Sequence, residues 1–129
     1  YLLMPLRRLM FGAERVRLED ELIDYVIGLE ALLSKKGEQT EIRYRFGVRG
    51  CVVLALKMDE RKKYFKEMQN IYDMRSKIIH GDIVSHVELN KHVALAENAL
   101  RNTWNWYFKR WREQSNNQAA IDWIDNRVI

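Results

Sequence analysis

The chain has 129 residues, 47% of them hydrophobic and 31% charged, with a net charge of +4; that is enough for one domain around a single core and too little for two. A domain of this length buries roughly two thirds of its unfolded surface, so it needs neither disulfides nor a structural metal to hold together. Cys51 is the only cysteine, which excludes an intramolecular disulfide and a cysteine-based zinc site and fits a reducing compartment, the cytoplasm.

The longest apolar run, Cys51 to Leu56, falls far short of the roughly 20 residues a membrane-spanning helix requires, so no membrane association is expected. The opening Tyr1-Leu2-Leu3-Met4-Pro5 lacks the charged lead and small-residue cleavage site of a signal peptide. Because no Met begins the chain, it is expected to be part of a longer protein. Its positive charge is uneven. Residues 35–57 hold six Lys or Arg against two Glu, and residues 101–113 hold four against one. Such stretches are compatible with a nucleic-acid partner, but solvated helix faces explain them more often.

The hydrophobic period is helical throughout, with no sustained alternation of a half-buried strand. A first main helix is expected from Glu14 to Lys36, with Leu18, Leu22, Val26, Leu29 and Leu33 on one stripe and Gly37 as its stop. A second begins near Thr40, with Ile42, Phe46, Arg49, Val53 and Leu56 in line. Asp59 can cap a third, whose face holds Tyr64, Met68, Ile71, Arg75 and Ile78 or Ile79, with Gly81 just past its end. Ser85-x-x-Glu88 is a capping box that opens a long fourth helix along Leu89, Val93, Ala96, Leu100, Trp104, Tyr107 and Trp111. After a polar stretch, Gln114 to Gln118, a short terminal helix carries Ile121, Trp123, Ile124 and Val128. The expected architecture is an all-α bundle of four main helices with short flanking helices, one domain over residues 1–129.

Three charged residues, Glu30, Arg49 and Arg75, interrupt stripes that otherwise face the core. A buried unpaired charge is strongly unfavourable, so these should be paired, hydrated or at an interface. The structural reading makes Glu30 and Arg49 a polar core, with Glu30 neutralising Arg49 or Arg75. Replacing Glu30 would then strand a buried cation.

Arg75-Ser76-Lys77-Ile78-Ile79-His80-Gly81 sets a permanent cation and a titratable imidazole five residues apart. At about 100° per residue the two side chains diverge by roughly 140° on a regular helix. Either the helix loosens before His80, or a second copy completes the site in a symmetric dimer. An Arg holds a phosphate bidentately and stabilises the charge of a phosphoryl transition state, while His moves protons to or from ribose and leaving-group oxygens. Arg75 and His80 are therefore candidate catalytic residues for RNA cleavage without metal, and Ser76 and Lys77 candidate substrate-binding residues. As a bare pattern, the pair fits a helix-terminal His better; the place of Arg75 on the apolar stripe is what favours catalysis.

Other constellations are weaker. His80, His86 and His92 recur every six residues, which is not a helical metal-ligand spacing, and no metal or other cofactor is expected. Trp104, Trp106, Tyr107, Phe108 and Trp111 lie among Lys109, Arg110 and Arg112. They could stack bases; alternatively Trp104, Tyr107 and Trp111 are core and the others a partner surface.

Three ordered blocks, Leu22-Ile23-Asp24-Tyr25-Val26-Ile27-Gly28-Leu29-Glu30-Ala31-Leu32-Leu33, Tyr44-Arg45-Phe46-Gly47-Val48-Arg49, and Ile71-Tyr72-Asp73-Met74-Arg75-Ser76-Lys77-Ile78-Ile79-His80-Gly81, resemble the Apea-like branch of the HEPN superfamily over about residues 6 to 112. The resemblance implies a helical bundle that homodimerises through its motif-bearing helices, often as the C-terminal part of a larger bacterial or phage-defence protein. Active members are metal-independent endoribonucleases, whose motif Arg and His fall on Arg75 and His80. The polar residue after the Arg, Asn, Asp or His in many active members, is Ser76 here. Some relatives serve only as dimerisation or nucleotide- or RNA-binding modules, the alternative function for this chain.

Overall fold

In the computed structural model, which describes residues 1–14 and 17–128, the chain forms six α-helices: α1 Leu3–Glu14, α2 Leu18–Leu33, α3 Ile42–Leu54, α4 Arg61–Ile79, α5 His86–Trp111 and α6 Gln118–Asp125. No strand occurs among the described residues. Arg15 and Val16, within the expected span of the first main helix, lie outside them, as does Ile129. The expected all-α bundle is what the chain adopts, with α2 to α5 as its four main helices. No helix among the described residues is long and apolar enough to cross a membrane.

α2 is the central element. Leu22, Val26, Leu29, Leu32 and Leu33 are buried with Tyr25, because the apolar positions of this helix wrap around more than half its circumference and face both α1 and α5. Close packing on α5 requires Gly28: a Cβ there would sit 2.8 Å from a methyl of Leu100. α3 packs on α4, and α6 returns against α3 and α5. All six helices contribute to one hydrophobic core.

The C-terminal end of α2 shows how the bundle is tied. A helix end leaves its last carbonyls without intrahelical donors. Here Asn117 Nδ2 donates to the carbonyls of Ala31, Leu32 and Ser34 at 3.2, 3.2 and 2.8 Å. Tyr107 Oη donates to Leu32 at 2.5 Å, and Arg49 donates to Leu33 at 2.8 Å. Three side chains distant in sequence thus satisfy one helix end, and the cation among them complements the negative end of the α2 dipole.

The helix ends differ from sequence expectation in places. α2 stops at Leu33, and Gly37, at φ 81°, belongs to the following turn. α3 stops at Leu54, so Leu56 is 93% exposed and does not continue the stripe. Asp59 lies inside a single 3-10 turn, Met58–Glu60, rather than capping α4; Glu60 accepts from the Lys57 N–H at 3.1 Å instead. At the start of α5, Ser85 Oγ accepts from the Glu88 N–H at 3.2 Å, as the capping box predicts.

Candidate functional site

α4 carries the Arg/His motif to its last turn. Gly81 adopts φ 78°, a left-handed conformation glycine reaches without steric cost. Its N–H bonds the Ile78 carbonyl at 3.1 Å and the Asp82 N–H bonds Lys77 at 2.9 Å, the paired bonds of a Schellman stop. His80 occupies the cap itself, at φ −79° and ψ 0°, with its N–H still bonded to Ser76 at 3.0 Å. The helix therefore does not loosen before His80. Five regular steps send the Arg75 and His80 side chains in directions about 140° apart, and one chain does not bring them together.

Arg75 is half-buried, with its side chain 31% exposed. Its Nε lies 3.8 Å from Glu30 Oε1 and its guanidinium sits over the Tyr72 ring, 5.6 Å from the centroid. Neither contact is a hydrogen bond, and Arg75 donates none among the described residues. Glu30 is also 31% exposed. Burial raises its pKa, and the nearby Arg75 only partly opposes that. Glu30 is thus a loosely paired, partly exposed carboxylate that accepts no hydrogen bond from Arg75. It partners Arg75 and not Arg49.

Arg49 is the buried cation, and its partners come from elsewhere. It is 2% exposed and bonds both oxygens of Glu38, at 2.6 and 2.9 Å, and both of Asp125, at 2.9 and 3.2 Å, besides the Leu33 carbonyl. Burial pulls the guanidinium pKa down, but the hydrogen bonds from Glu38 and Asp125 outweigh it and raise the pKa. The Arg49 hydrogen bond in turn holds the Glu38 carboxyl below its ordinary value. Nothing local in the sequence pairs these residues, which lie 11 and 76 positions apart.

Ser76 and Lys77 line a groove between α4 and α5 that neither Arg75 nor His80 lines. Ser76 Oγ donates to the Tyr72 carbonyl of its own helix at 3.2 Å, so its hydroxyl proton is already engaged. Lys77 is exposed. The motif is therefore split three ways around the end of α4: Arg75 on one side, His80 at the tip, and Ser76 with Lys77 on the α5 side. His92 also lines this groove and was singled out in the sequence only for its spacing from His80 and His86. Its better signal is its place between Leu89 and Ala96, on the buried side of α5.

The first basic stretch is largely neutralised internally. Arg43 grips Asp73 at 2.7 and 2.9 Å, Arg45 bonds Glu38 at 2.9 Å, and Lys35 lies 3.4 and 3.6 Å from Asp122 and Asp125. It does not form a free cationic face. Among the aromatics, Tyr107 is fully buried, and Trp106 packs on Tyr107, Trp111 and Trp123 rather than offering a stacking platform. Phe108 is exposed and stacks on Trp104 at 5.0 Å. Among the described residues no three His, Cys, Asp or Glu side chains converge in a way that would hold a metal ion. Comparison with family models, curated proteins and solved structures found no match to this chain.

Proposed function

We propose that the chain is a metal-independent endoribonuclease domain that works as a symmetric homodimer, with Arg75 of one protomer and His80 of its partner acting on one phosphodiester of single-stranded RNA. The decisive observation is the unspent guanidinium of Arg75. An Arg on a core stripe normally spends its five donors, as Arg49 does; Arg75 has only a loose carboxylate and a ring face, which leaves its donors for a phosphate. His80 is exposed at the tip of the same helix. Its surroundings support pairing there: Ile79, Ile83 and Val87 are 52%, 102% and 76% exposed around the end of α4 and the start of α5, an apolar surface that association would cover. The partial burial of Arg75 beside Tyr72 strengthens its attraction for an anion relative to open water.

The chemistry balances without an outside reactant. The ribose 2′ oxygen attacks phosphorus, the bond to the 5′ oxygen breaks, and the proton of the 2′-OH ends on the departing 5′ oxygen, with His80 moving it. Arg75 stabilises the charge that grows on the non-bridging oxygens. The buried thiol of Cys51, its pKa raised by burial, fits a cytoplasmic protein, and a toxin or phage-defence role follows from the HEPN resemblance alone.

Purified protein should cut single-stranded RNA in EDTA, leaving a 2′,3′-cyclic phosphate and a 5′-OH, and should leave DNA intact. Arg75→Ala and His80→Ala should each lower the rate at least about a hundredfold with helical circular dichroism unchanged. Cleavage lost in EDTA, or equal rates for wild type and His80→Ala, would refute this reading. No cleavage at all would leave a non-catalytic dimerisation or binding module.

A further inference from the structure

The groove between α4 and α5 has a volume of about 650 Å³, within the range of small-ligand sites, and its chemistry is specific. His92, 7% exposed, lines it. Its Nδ1 lies 2.7 Å from the Glu88 carbonyl oxygen. A carbonyl can only accept, so Nδ1 carries a proton, and whenever the imidazole is uncharged Nε2 is the ring's acceptor. Nε2 has no hydrogen-bond partner among the described residues and is not shut off from solvent, so it is open to a donor from whatever fills the groove.

Charge narrows the occupant further. Lys77 from α4 and Lys91 from α5 stand on the two walls, with the Asn70 amide beside them. Asp73 also lines the groove, but Arg43 occupies both of its oxygens. Glu88 is the remaining anion, half-exposed and 3.9 Å from His92 Nδ1. Two cations against one ungripped carboxylate favour an anionic ligand, and the His92 lone pair favours one that also carries a hydroxyl. A ribose phosphate has both.

We infer that this groove holds a ribose-phosphate unit of an RNA strand, with His92 Nε2 accepting from the 2′-OH and Lys77 and Lys91 holding the adjacent phosphate. The identity of the strand rests on the ribonuclease reading, whereas the groove is separate from Arg75 and His80. His92 is a positioning residue that tells RNA from DNA, since only RNA offers the 2′-OH.

The test uses the His80→Ala protein, so that RNA stays intact, and follows the ring nitrogens of His86 and His92 by NMR, assigned with His86→Ala. A short oligouridylate should move the His92 Nε2 resonance, and the matching DNA should bind about fivefold more weakly without moving it. Lys77→Ala with Lys91→Ala should weaken RNA binding at least about tenfold and flatten the salt dependence by roughly 0.7 in slope, the value for one lost phosphate on a single strand. Uridine monophosphate binding as tightly as the oligonucleotide would overturn the strand in favour of a free nucleotide. RNA that binds with His92 unmoved, an equal response to DNA, or no RNA binding would overturn the groove. Cleavage by wild type alongside an unmoved His92 would remove the groove and leave the ribonuclease; a responsive His92 without cleavage would do the reverse.

Discussion

Glu38→Ala should destabilise the fold by about 3 kcal/mol, an expectation set by what Arg49 keeps and what it loses. The substitution removes two charge-assisted hydrogen bonds to Arg49 and one to Arg45, and bonds of this kind contribute about 1.5–3 kcal/mol each. Arg49 retains the Leu33 carbonyl and Asp125, so the guanidinium is not stranded and the loss stays near the lower end for a broken buried pair. In a chain of this size that corresponds to a melting temperature lower by roughly 12 °C, read by circular dichroism. Arg49→Met serves as the second arm. It leaves Glu38 with Arg45 and Asp125 with Lys35, so the double variant should cost about 2 kcal/mol less than the sum of the singles. The effect also depends on pH. The folded pKa of Glu38 is below its unfolded value, so its contribution is complete above the ordinary carboxylate range, about 4.3, and is lost as pH falls through the folded pKa. The gap between wild type and Glu38→Ala should therefore be constant near neutrality and shrink in acid. A loss under about 1 kcal/mol, or strict additivity with Arg49→Met, would refute a cooperative buried clasp.

Glu30→Gln should behave oppositely: because the folded pKa of Glu30 is raised, its ionised form opposes folding at neutral pH, so the variant should melt no lower than wild type there, and any gain should vanish as pH falls below the ordinary carboxylate range. A clear loss of stability in urea titrations near neutrality would show instead that Glu30 is a required counter-ion. Val87→Glu, at an exposed position that does not line the groove between α4 and α5, should keep the helical signal and shift the proposed dimer to monomer by light scattering at micromolar concentration, with cleavage lost in parallel. A dimer that survives would move the pairing surface away from the end of α4.

Where a helix has one apolar face, its sequence was readable. α5 is the clearest case, since Leu89, Val93, Ala96, Leu100 and Tyr107 are all buried and Ser85 caps it as expected. α1 was less legible: Pro5 and Leu9 turn inward while Leu3, Met4, Met10 and Phe11 are exposed, so apolar residues on both sides blur the period. Burial of Arg49 was legible as a charge on an apolar stripe, but its partners were not, because Glu38 arrives by the turn at Gly37 and Asp125 by the return of α6. Those are tertiary facts with no local pattern. The groove was hidden for the same reason. Ser76 and Lys77 read as neighbours of Arg75, yet the helix turns them toward α5, where Lys91 and His92 meet them.

Arg49 and Arg75 occupy equivalent positions in the pattern, one helical step from apolar neighbours, and the contrast between them separates structure from function. Arg49 makes five hydrogen bonds to protein acceptors, so binding a ligand anion there would mean breaking the α2, α3 and α6 junction. Arg75 has one carboxylate at 3.8 Å, and that carboxylate is itself raised in pKa by burial. A phosphate approaching Arg75 would replace a weak ion pair with bidentate hydrogen bonds, while Glu30 could accept a proton or remain hydrated at modest cost. Neutralisation by the fold is the quantity that differs. A charged residue on a core stripe is structural when the fold saturates it, and available for chemistry when the fold holds it in place but leaves its donors unspent.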